Sequence, residues 1–209
     1  TDGVTIDTDV PVISAVIEGV GTTPSTVTDI DGNVYQTVTI GEQVWMAENL
    51  KVTKYRDGTA IPTDYNNSDW SNLTTGAYAV YDDDPSNAET YGNLYNWPAV
   101  DDNRTIAPDG WHVPTDDEIK ELEMFLGMSQ SDADSDQERG TNEGSKLAGN
   151  ADLWNADNLV NNEAFGTSGF DGLPGGFRDG DGNYWNQGNF SVFWLSTDIN
   201  ESSAWYRLL

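Results

Sequence analysis

Residues 114–126 read PTDDEIKELEMFL, and this stretch decides the fold class. Thr115 stands three residues before Glu118, which is the spacing of a capping box, in which each side chain accepts a hydrogen bond from the backbone of the other residue. The apolar residues that follow recur at the spacing of one helical face: Ile119, Leu122, Phe125 and Leu126. The pattern predicts a helix from Asp116 to about Gly127.

After this helix the sequence predicts short strands. Turn clusters at 173–176 and 179–183 alternate with the aromatic segments 184–185, 191–196 and 204–208. Aromatic and β-branched runs bounded by Gly, Pro, Asn and Asp are typical of strands separated by tight turns. The connection after the helix is acidic and polar, and a second short helix is predicted near its end, around residues 144–148.

Before the helix the sequence predicts a β-meander and an arm. Residues 29–46 alternate β-prone segments with Asp-Gly and Gly-Glu turns. Residues 1–28 contain no aromatic residue, whereas every Trp and Tyr lies after Asp29. Within them, residues 10–20 are apolar and rich in β-branched side chains, so they predict a strand, which Pro11 confines to a strand start or a sheet edge.

The fold class that follows is α+β. We expect one domain over residues 29–209, built from short antiparallel sheets with one or two helices. An N-terminal β arm or linker precedes it over residues 1–28, with its strand at residues 10–20.

The charge of the chain limits its partners. Nine Lys and Arg stand against 36 Asp and Glu, giving a net charge of −27. Such a surface repels nucleic acid and anionic membranes, so both are excluded as partners, whereas divalent cations are attracted. Eight Trp, nine Tyr and six Phe supply the apolar surface that a disordered acidic chain lacks. No cysteine is present, so disulfides and thiolate chemistry are excluded.

Several segments resemble the Fibrobacter succinogenes major paralogous domain family, in that family's order and over roughly Asp29 to Leu209. They are DIDGNVY at 29–35, VWMAENL at 44–50, YGNLYNW at 91–97, GWHVPTDDE at 110–118, GGFR at 175–178 and FWLS at 193–196. The resemblance implies a bacterial protein that is exported or held at the cell surface. It also implies a C-type-lectin-like mixed fold, related to formylglycine-generating enzymes, and it implies no established reaction.

The end of the chain departs from that pattern, because the family continues past the segment that matches Ala204 to Leu209. Stopping there predicts an unpaired apolar strand edge, which attracts a further strand. The arm is the candidate donor, through Val10, Val12, Ile13, Val16, Ile17 and Val20. The arm strand would complete a sheet of its own chain or of a neighbour, and the second option builds a fibre. The alternative is that the chain is simply cut short here.

Two loops show the oxygen spacing of calcium sites. Their candidate ligands alternate before and after a Gly: Asp29, Asp31 and Asn33 in the first loop, and Asp179, Asp181 and Asn183 in the second. Neither loop has the later Glu that completes a helix-loop-helix site, so plain hairpin turns remain the alternative. Calcium is the one cofactor that the sequence indicates.

Aromatic side chains that follow turns are candidates for sugar binding. A Trp or Tyr ring stacks on the apolar face of a pyranose, while Asn and Asp bind its hydroxyls. The candidate ligands are Tyr184, Trp185, Asn186, Asn189 and Trp205. Most of the eight Trp are expected in the core instead, and the pair at 184–185 is the better candidate for exposure.

No residue pattern predicts catalysis. His112 is the only histidine, and the carboxylates beside it lie in the first turn of a helix, where the helix dipole alone favours them. The resemblance to formylglycine-generating enzymes does not carry their activity over, because that activity depends on cysteines.

The sequence therefore predicts a non-enzymatic, extracellular structural or adhesive module, with a fibre assembled by N-terminal strand addition as its sharpest form. Its partners would be copies of itself, other cell-surface proteins or a polysaccharide. A calcium-assisted glycan-binding module and an enzyme of unknown reaction are the alternatives.

Overall fold

The computed structural model describes residues 16–18, 25–155, 158–200 and 203–209. These residues form ten short strands: β1 Val16–Glu18, β2 Thr26–Thr28, β3 Val34–Ile40, β4 Gln43–Met46, β5 Tyr78–Ala79, β6 Leu94–Tyr95, β7 Phe177–Arg178, β8 Tyr184–Trp185, β9 Val192–Asn200 and β10 Ser203–Leu208. They also form six short helices: α1 Asn67–Trp70, α2 Pro85–Tyr91, α3 Trp97–Val100, α4 Asp116–Phe125, α5 Gln130–Ala133 and α6 Glu143–Leu147. Short 3₁₀ turns cover Tyr81–Asp83 and Ala151–Leu153.

The strands make four small antiparallel sheets, which confirms the predicted α+β class. The largest has the order β1-β4-β3-β2, and the other three are the pairs β9–β10, β5–β6 and β7–β8. The helix predicted from residues 114–126 is α4, and the second predicted helix is α6.

The start of α4 has the hydrogen bonds that its sequence predicts. The Thr115 hydroxyl accepts from the backbone N–H of Glu118 at 3.2 Å, and the Glu118 carboxylate accepts from the backbone N–H of Thr115 at 2.6 Å. This capping box satisfies two backbone donors that a helix start and its entry would otherwise leave unpaired. Ile119 and Leu122 of this helix are buried in the core, whereas Phe125 is exposed and packs over the turn at Gly41.

Aromatic residues dominate the core that these elements surround. Six of the eight Trp are buried, as predicted: Trp45, Trp70, Trp97, Trp111, Trp154 and Trp194. The indole N–H of Trp194 donates to the carbonyl of Tyr95 at 2.9 Å, which joins β9 to β6. Trp185 and Trp205 are the exceptions, with exposed fractions of 51% and 36%.

The described part of the N-terminal arm joins the largest sheet. In β1, Val16, Ile17 and Glu18 pair with Trp45, Val44 and Gln43 of β4. These three residues thus lie at the edge of β4, where they add a fourth strand to a sheet of their own chain, and not beside residues 204–209. Strand addition to the edge at 204–209 stays a prediction. The remaining residues of the predicted strand at 10–20 lie outside the described residues.

The boundary between arm and domain stays a prediction, although the last arm residues are built into the sheet. In β2, Thr26–Thr28 pairs with β3, and the side chain of Val27 belongs to the hydrophobic core.

Replacing Thr115 by Ala is expected to lower the free energy of unfolding by about 1 kcal/mol, because the helix loses its side-chain cap. Urea unfolding followed by circular dichroism measures the change. Thr74→Ala, at an exposed threonine outside any helix, serves as the matched control and should change stability by less than about 0.5 kcal/mol. Equal effects of the two substitutions would contradict a specific role for the cap.

Candidate functional site

A groove of about 870 Å³ runs beside β10. One wall is β10 itself, together with Ile199 at the end of β9. The opposite wall comes from the end of α4, from the connection after α5 and from α6: Glu123, Met128, residues 136–140, Glu143, Gly144 and Leu147. The groove thus lies between β10 on one side and the segment from the end of α4 to α6 on the other.

The rim of the groove is apolar and exposed. Ile199, Trp205 and Leu208 have exposed fractions of 45%, 36% and 48%. β10 is an edge strand, because its two-stranded sheet ends there. The pairing with β9 is irregular on both sides of Ala204, and such irregularities bend a strand and redirect its side chains.

Paired charges form the floor of the groove. The Glu123 carboxylate, only 8% exposed, accepts from Arg139 Nη2 at 2.8 Å and from Arg207 Nε at 3.2 Å. Arg207 also contacts Asp116 at the start of α4, and Asp116 binds Lys120 at 2.8 Å. Each of these buried charges has an opposite charge within contact distance, as buried ions require.

These contacts shift the titration of Asp116. Burial alone would raise the pKa of its carboxyl, but the hydrogen bonds and charges of Lys120 and Arg207 outweigh burial and hold the pKa below its ordinary 3.8. In Glu143, on the opposite wall, burial also raises the pKa, and the backbone N–H groups of Thr141 and Asn142 overcome it and lower the pKa. The groove is therefore lined by fixed ion pairs and half-exposed apolar side chains, a surface suited to contact with an extended peptide.

The first predicted calcium loop is closed by hydrogen bonds within the protein. The buried Asp29 carboxylate accepts from the backbone N–H groups of Asp31 and Asn33 at 2.9 Å and from the Tyr35 hydroxyl at 2.6 Å. The Asp31 carboxylate accepts from Thr53 and forms an ion pair with Lys54 at 2.7 Å. All three predicted ligands lie together in the turn between β2 and β3, where they hold the turn.

The second predicted loop links β7 to β8. One oxygen of the Asp179 carboxylate accepts from the backbone N–H of Asn183 at 2.8 Å, and the other accepts from the Trp185 indole N–H at 2.6 Å. The Asn183 amide oxygen accepts from Asn67 at 3.0 Å, while Asp181 is exposed. Over the described part of the chain, no group of three or more His, Asp or Glu side chains is arranged to hold a metal ion. Calcium binding stays a prediction.

The predicted sugar-binding residues divide between two places. Tyr184, Trp185, Asn186 and Asn189 lie together at β8 and the turn after it. The Asn189 side chain accepts from Asn155 at 2.9 Å, which ties this turn to the preceding loop. Trp205 instead lies in β10 and lines the groove, so it does not share a surface with the others.

Two of the predicted assembly residues, Val16 and Ile17, lie in β1. The other four, Val10, Val12, Ile13 and Val20, lie outside the described residues. His112 contacts the capping-box carboxylate of Glu118 at 2.7 Å, which fits the structural role expected for it.

Sequence reasoning missed the basic side chains of the groove. Arg139 and Arg207 lie 16 and 84 positions from Glu123, so no local spacing connects them. The only available signal was their rarity, since the chain has nine Lys and Arg in all and each was a candidate for a buried ion pair.

Among the described residues, no helix has the length and apolar character needed to cross a bilayer.

Comparison with known proteins gives one match. The family model of the Fibrobacter succinogenes major domain matches residues 38–209, which include β4, α4 and the whole C-terminal hairpin. No curated protein and no solved structure matches the chain.

The Asp116→Asn substitution tests the ion pairs of the groove floor. A carboxyl whose pKa is lowered by folding contributes stability above its unfolded pKa, and this contribution disappears as the pH falls through its folded pKa. We expect the substitution to lower the free energy of unfolding by about 2 kcal/mol at pH 7, and we expect this difference to shrink as the pH falls below 3.8 toward the lowered pKa of Asp116. Urea unfolding at several pH values measures the difference, and a difference that is independent of pH would contradict the ion pairs.

Proposed function

The chain belongs to the Fibrobacter succinogenes major domain family, and we propose that it is an exported, non-enzymatic structural module that assembles with copies of itself through its N-terminal segment. The observation that supports this most directly is the groove beside β10. An edge strand bordered by exposed apolar side chains is the kind of surface that accepts an added strand.

The proposed occupant is residues 10–15 of a second copy, VPVISA. This segment is apolar and rich in β-branched residues, and its single proline suits an edge position. It contains six residues, as β10 does, so an added strand of this length would span the roughly 20 Å of β10, at about 3.3 Å per residue. Strand addition would supply backbone hydrogen bonds, and the groove would receive alternate side chains.

The pairing of β1 limits which part of the arm can act as the donor. Because Val16 and Ile17 pair with β4 of their own chain, the donor is sought in the residues before them. The donor segment and the acceptor groove share no residue, so each copy could donate to one neighbour and accept from another. Such a head-to-tail contact builds an open fibre unless its rotation closes a ring.

The charge of the chain sets the conditions for assembly. Each copy carries −27, so copies repel one another at low ionic strength. At physiological ionic strength, salt screens the repulsion between exposed charges that are more than about 8 Å apart. We therefore expect assembly to strengthen as salt is added, because salt weakens the repulsion between copies and leaves the apolar contact between strands.

The finer fold assignment, a C-type-lectin-like domain, is part of the proposal. It is supported by the mixture of short helices and small antiparallel sheets around one aromatic core. Superposition of an experimental structure on C-type lectin domains tests it. Export and a place at the bacterial cell surface follow from the family resemblance, and fractionation of the source cells tests them.

Two complementary variants test assembly. Ile13→Asp places a charge in the donor segment, and Leu208→Arg places one on the exposed rim of the groove. Each is expected to weaken association about 100-fold, equivalent to about 2.7 kcal/mol, because the charge would be buried without a partner. Light scattering after size exclusion and negative-stain microscopy follow the loss of multimers.

Matched controls and a mixing experiment make the test specific. Val34→Arg alters an equally exposed apolar strand residue outside the groove, and Ile6→Asp alters the arm outside the donor segment; both should assemble like the parent. Mixing the Ile13→Asp and Leu208→Arg variants leaves one intact donor and one intact groove, so only one-to-one dimers should form. A parent protein that stays monomeric, or a mixture that yields no dimer, would falsify the proposal.

A further inference from the structure

The ribbon formed by β7 and β8 has two different faces. Its register places Phe177 opposite Trp185 and Arg178 opposite Tyr184. Because side chains alternate along a strand, each of these pairs shares one face. Arg178 is buried, with an exposed fraction of 1%, whereas Trp185 is 51% exposed. The ribbon therefore turns Arg178 and Tyr184 inwards and presents Phe177 and Trp185 outwards.

The inner face anchors the ribbon firmly. The Arg178 guanidinium lies 4.2 Å from the ring centre of Trp70 and 4.8 Å from that of Tyr184, and it donates to the carbonyls of Gly182 and Tyr65 at 2.9 and 2.8 Å. The Tyr184 hydroxyl donates to the Asp83 carboxylate at 2.6 Å. These contacts fix the backbone on which Trp185 is mounted.

Trp185 itself is held in one orientation. Its indole N–H donates to the Asp179 carboxylate at 2.6 Å, so the only polar atom of the ring is already satisfied by the protein. What remains exposed is apolar ring surface. A fixed aromatic surface loses little conformational entropy when a ligand stacks on it. Six of the eight Trp are buried, which makes an exposed and immobilised indole a specific feature of this ribbon.

Hydrogen-bonding groups surround this ring. Asp179 accepts its N–H directly, and the backbone N–H of Asn183, in the turn just before β8, donates to the same carboxylate. Asn67 reaches the same edge, where its amide donates to Asn183 at 3.0 Å. Asn186 follows Trp185 with a φ of 61°, which turns the chain sharply at the end of the strand. Carboxylate and amide groups beside an aromatic face are complementary to the hydroxyls and the apolar face of a pyranose.

The carboxylates around the ring determine which class of sugar the site would favour. Asp82, Asp83, Asp179 and Asp181 lie on or beside the ribbon, and the guanidinium of Arg178 is buried beneath it. An anionic sugar, such as a uronic acid, would approach these carboxylates, and the guanidinium of Arg178 is too deeply buried to bind it. From the fixed ring, its polar border and its charge, we infer that Trp185 is the centre of a binding site for polysaccharides of neutral or amino-bearing hexopyranoses. The site shares no residue with the groove beside β10, so it is independent of the proposed assembly.

The two exposed tryptophans provide a matched test. Chitosan and cellulose oligosaccharides are titrated into the full chain while intrinsic fluorescence and calorimetry are recorded, with oligogalacturonate as the anionic probe. We expect the neutral or amino-bearing oligosaccharides to bind and oligogalacturonate not to bind. Trp185→Ala should weaken binding at least tenfold, whereas Trp205→Ala, an equally truncated exposed tryptophan in the groove, should retain it.

Further outcomes overturn the inference. Equal binding by the Trp185→Ala variant and the parent, loss of binding in Trp205→Ala alone, or no binding of either oligosaccharide type by the parent would each contradict it. Asp179→Asn is a second variant that leaves the ring in place but weakens its anchor, and it should reduce binding less than removal of the ring. Circular dichroism of every variant shows whether the fold is retained.

Discussion

Two carboxylates and one backbone carbonyl of α4 hold three other parts of the chain to this helix. Asp116 and Glu123 bind Arg207 of β10, and Glu123 also binds Arg139 in the connection after α5. The side-chain amide of Gln43 in β4 donates to the Glu118 carbonyl at 3.1 Å, which ties the largest sheet to the first turn of the same helix. Because a buried charge without a partner is costly, these elements are constrained to meet in one arrangement. The contact between Glu123 and Arg207 also joins the two walls of the groove beside β10.

Each of the nine Lys and Arg side chains contacts another group of the same protein. Six form ion pairs with carboxylates: Lys51, Lys54, Arg104, Lys120, Arg139 and Arg207. The other three donate to backbone carbonyls: Arg56, Lys146 and Arg178. The chain is thus left with carboxylates in excess, which disfavours anionic partners and is compatible with apolar, neutral or cationic ones.

The elements that sequence could predict are those fixed by neighbouring residues. The capping box at Thr115 and Glu118 depends on a spacing of three, so the helix followed from local chemistry. The two DxDGN turns are also predictable from local sequence. Their Asp29 and Asp179 carboxylates, however, accept hydrogen bonds from Tyr35 and Trp185, and no sequence spacing predicts these two contacts. The sequence predicts Trp205 and Trp185 as members of one sugar-binding site because both are aromatic, whereas the fold places them in β10 and β8. The pairing of β1 with β4 depends on which sheet edge is open, and this is a property of the assembled fold.

Assembly into a fibre would repeat the proposed sugar-binding site along its length. A single aromatic platform on an open surface binds a sugar weakly, because it buries only one face of the ligand. A head-to-tail fibre would carry one Trp185 ribbon on every copy, at a constant spacing along its length. A polysaccharide that engages one ribbon then meets the next at high effective concentration, so avidity can exceed the affinity of one site by about 10²–10⁴-fold. Assembly through the groove would in this way turn a weak contact into firm attachment, and the geometric independence of the groove and the ribbon is what allows both to be used at once.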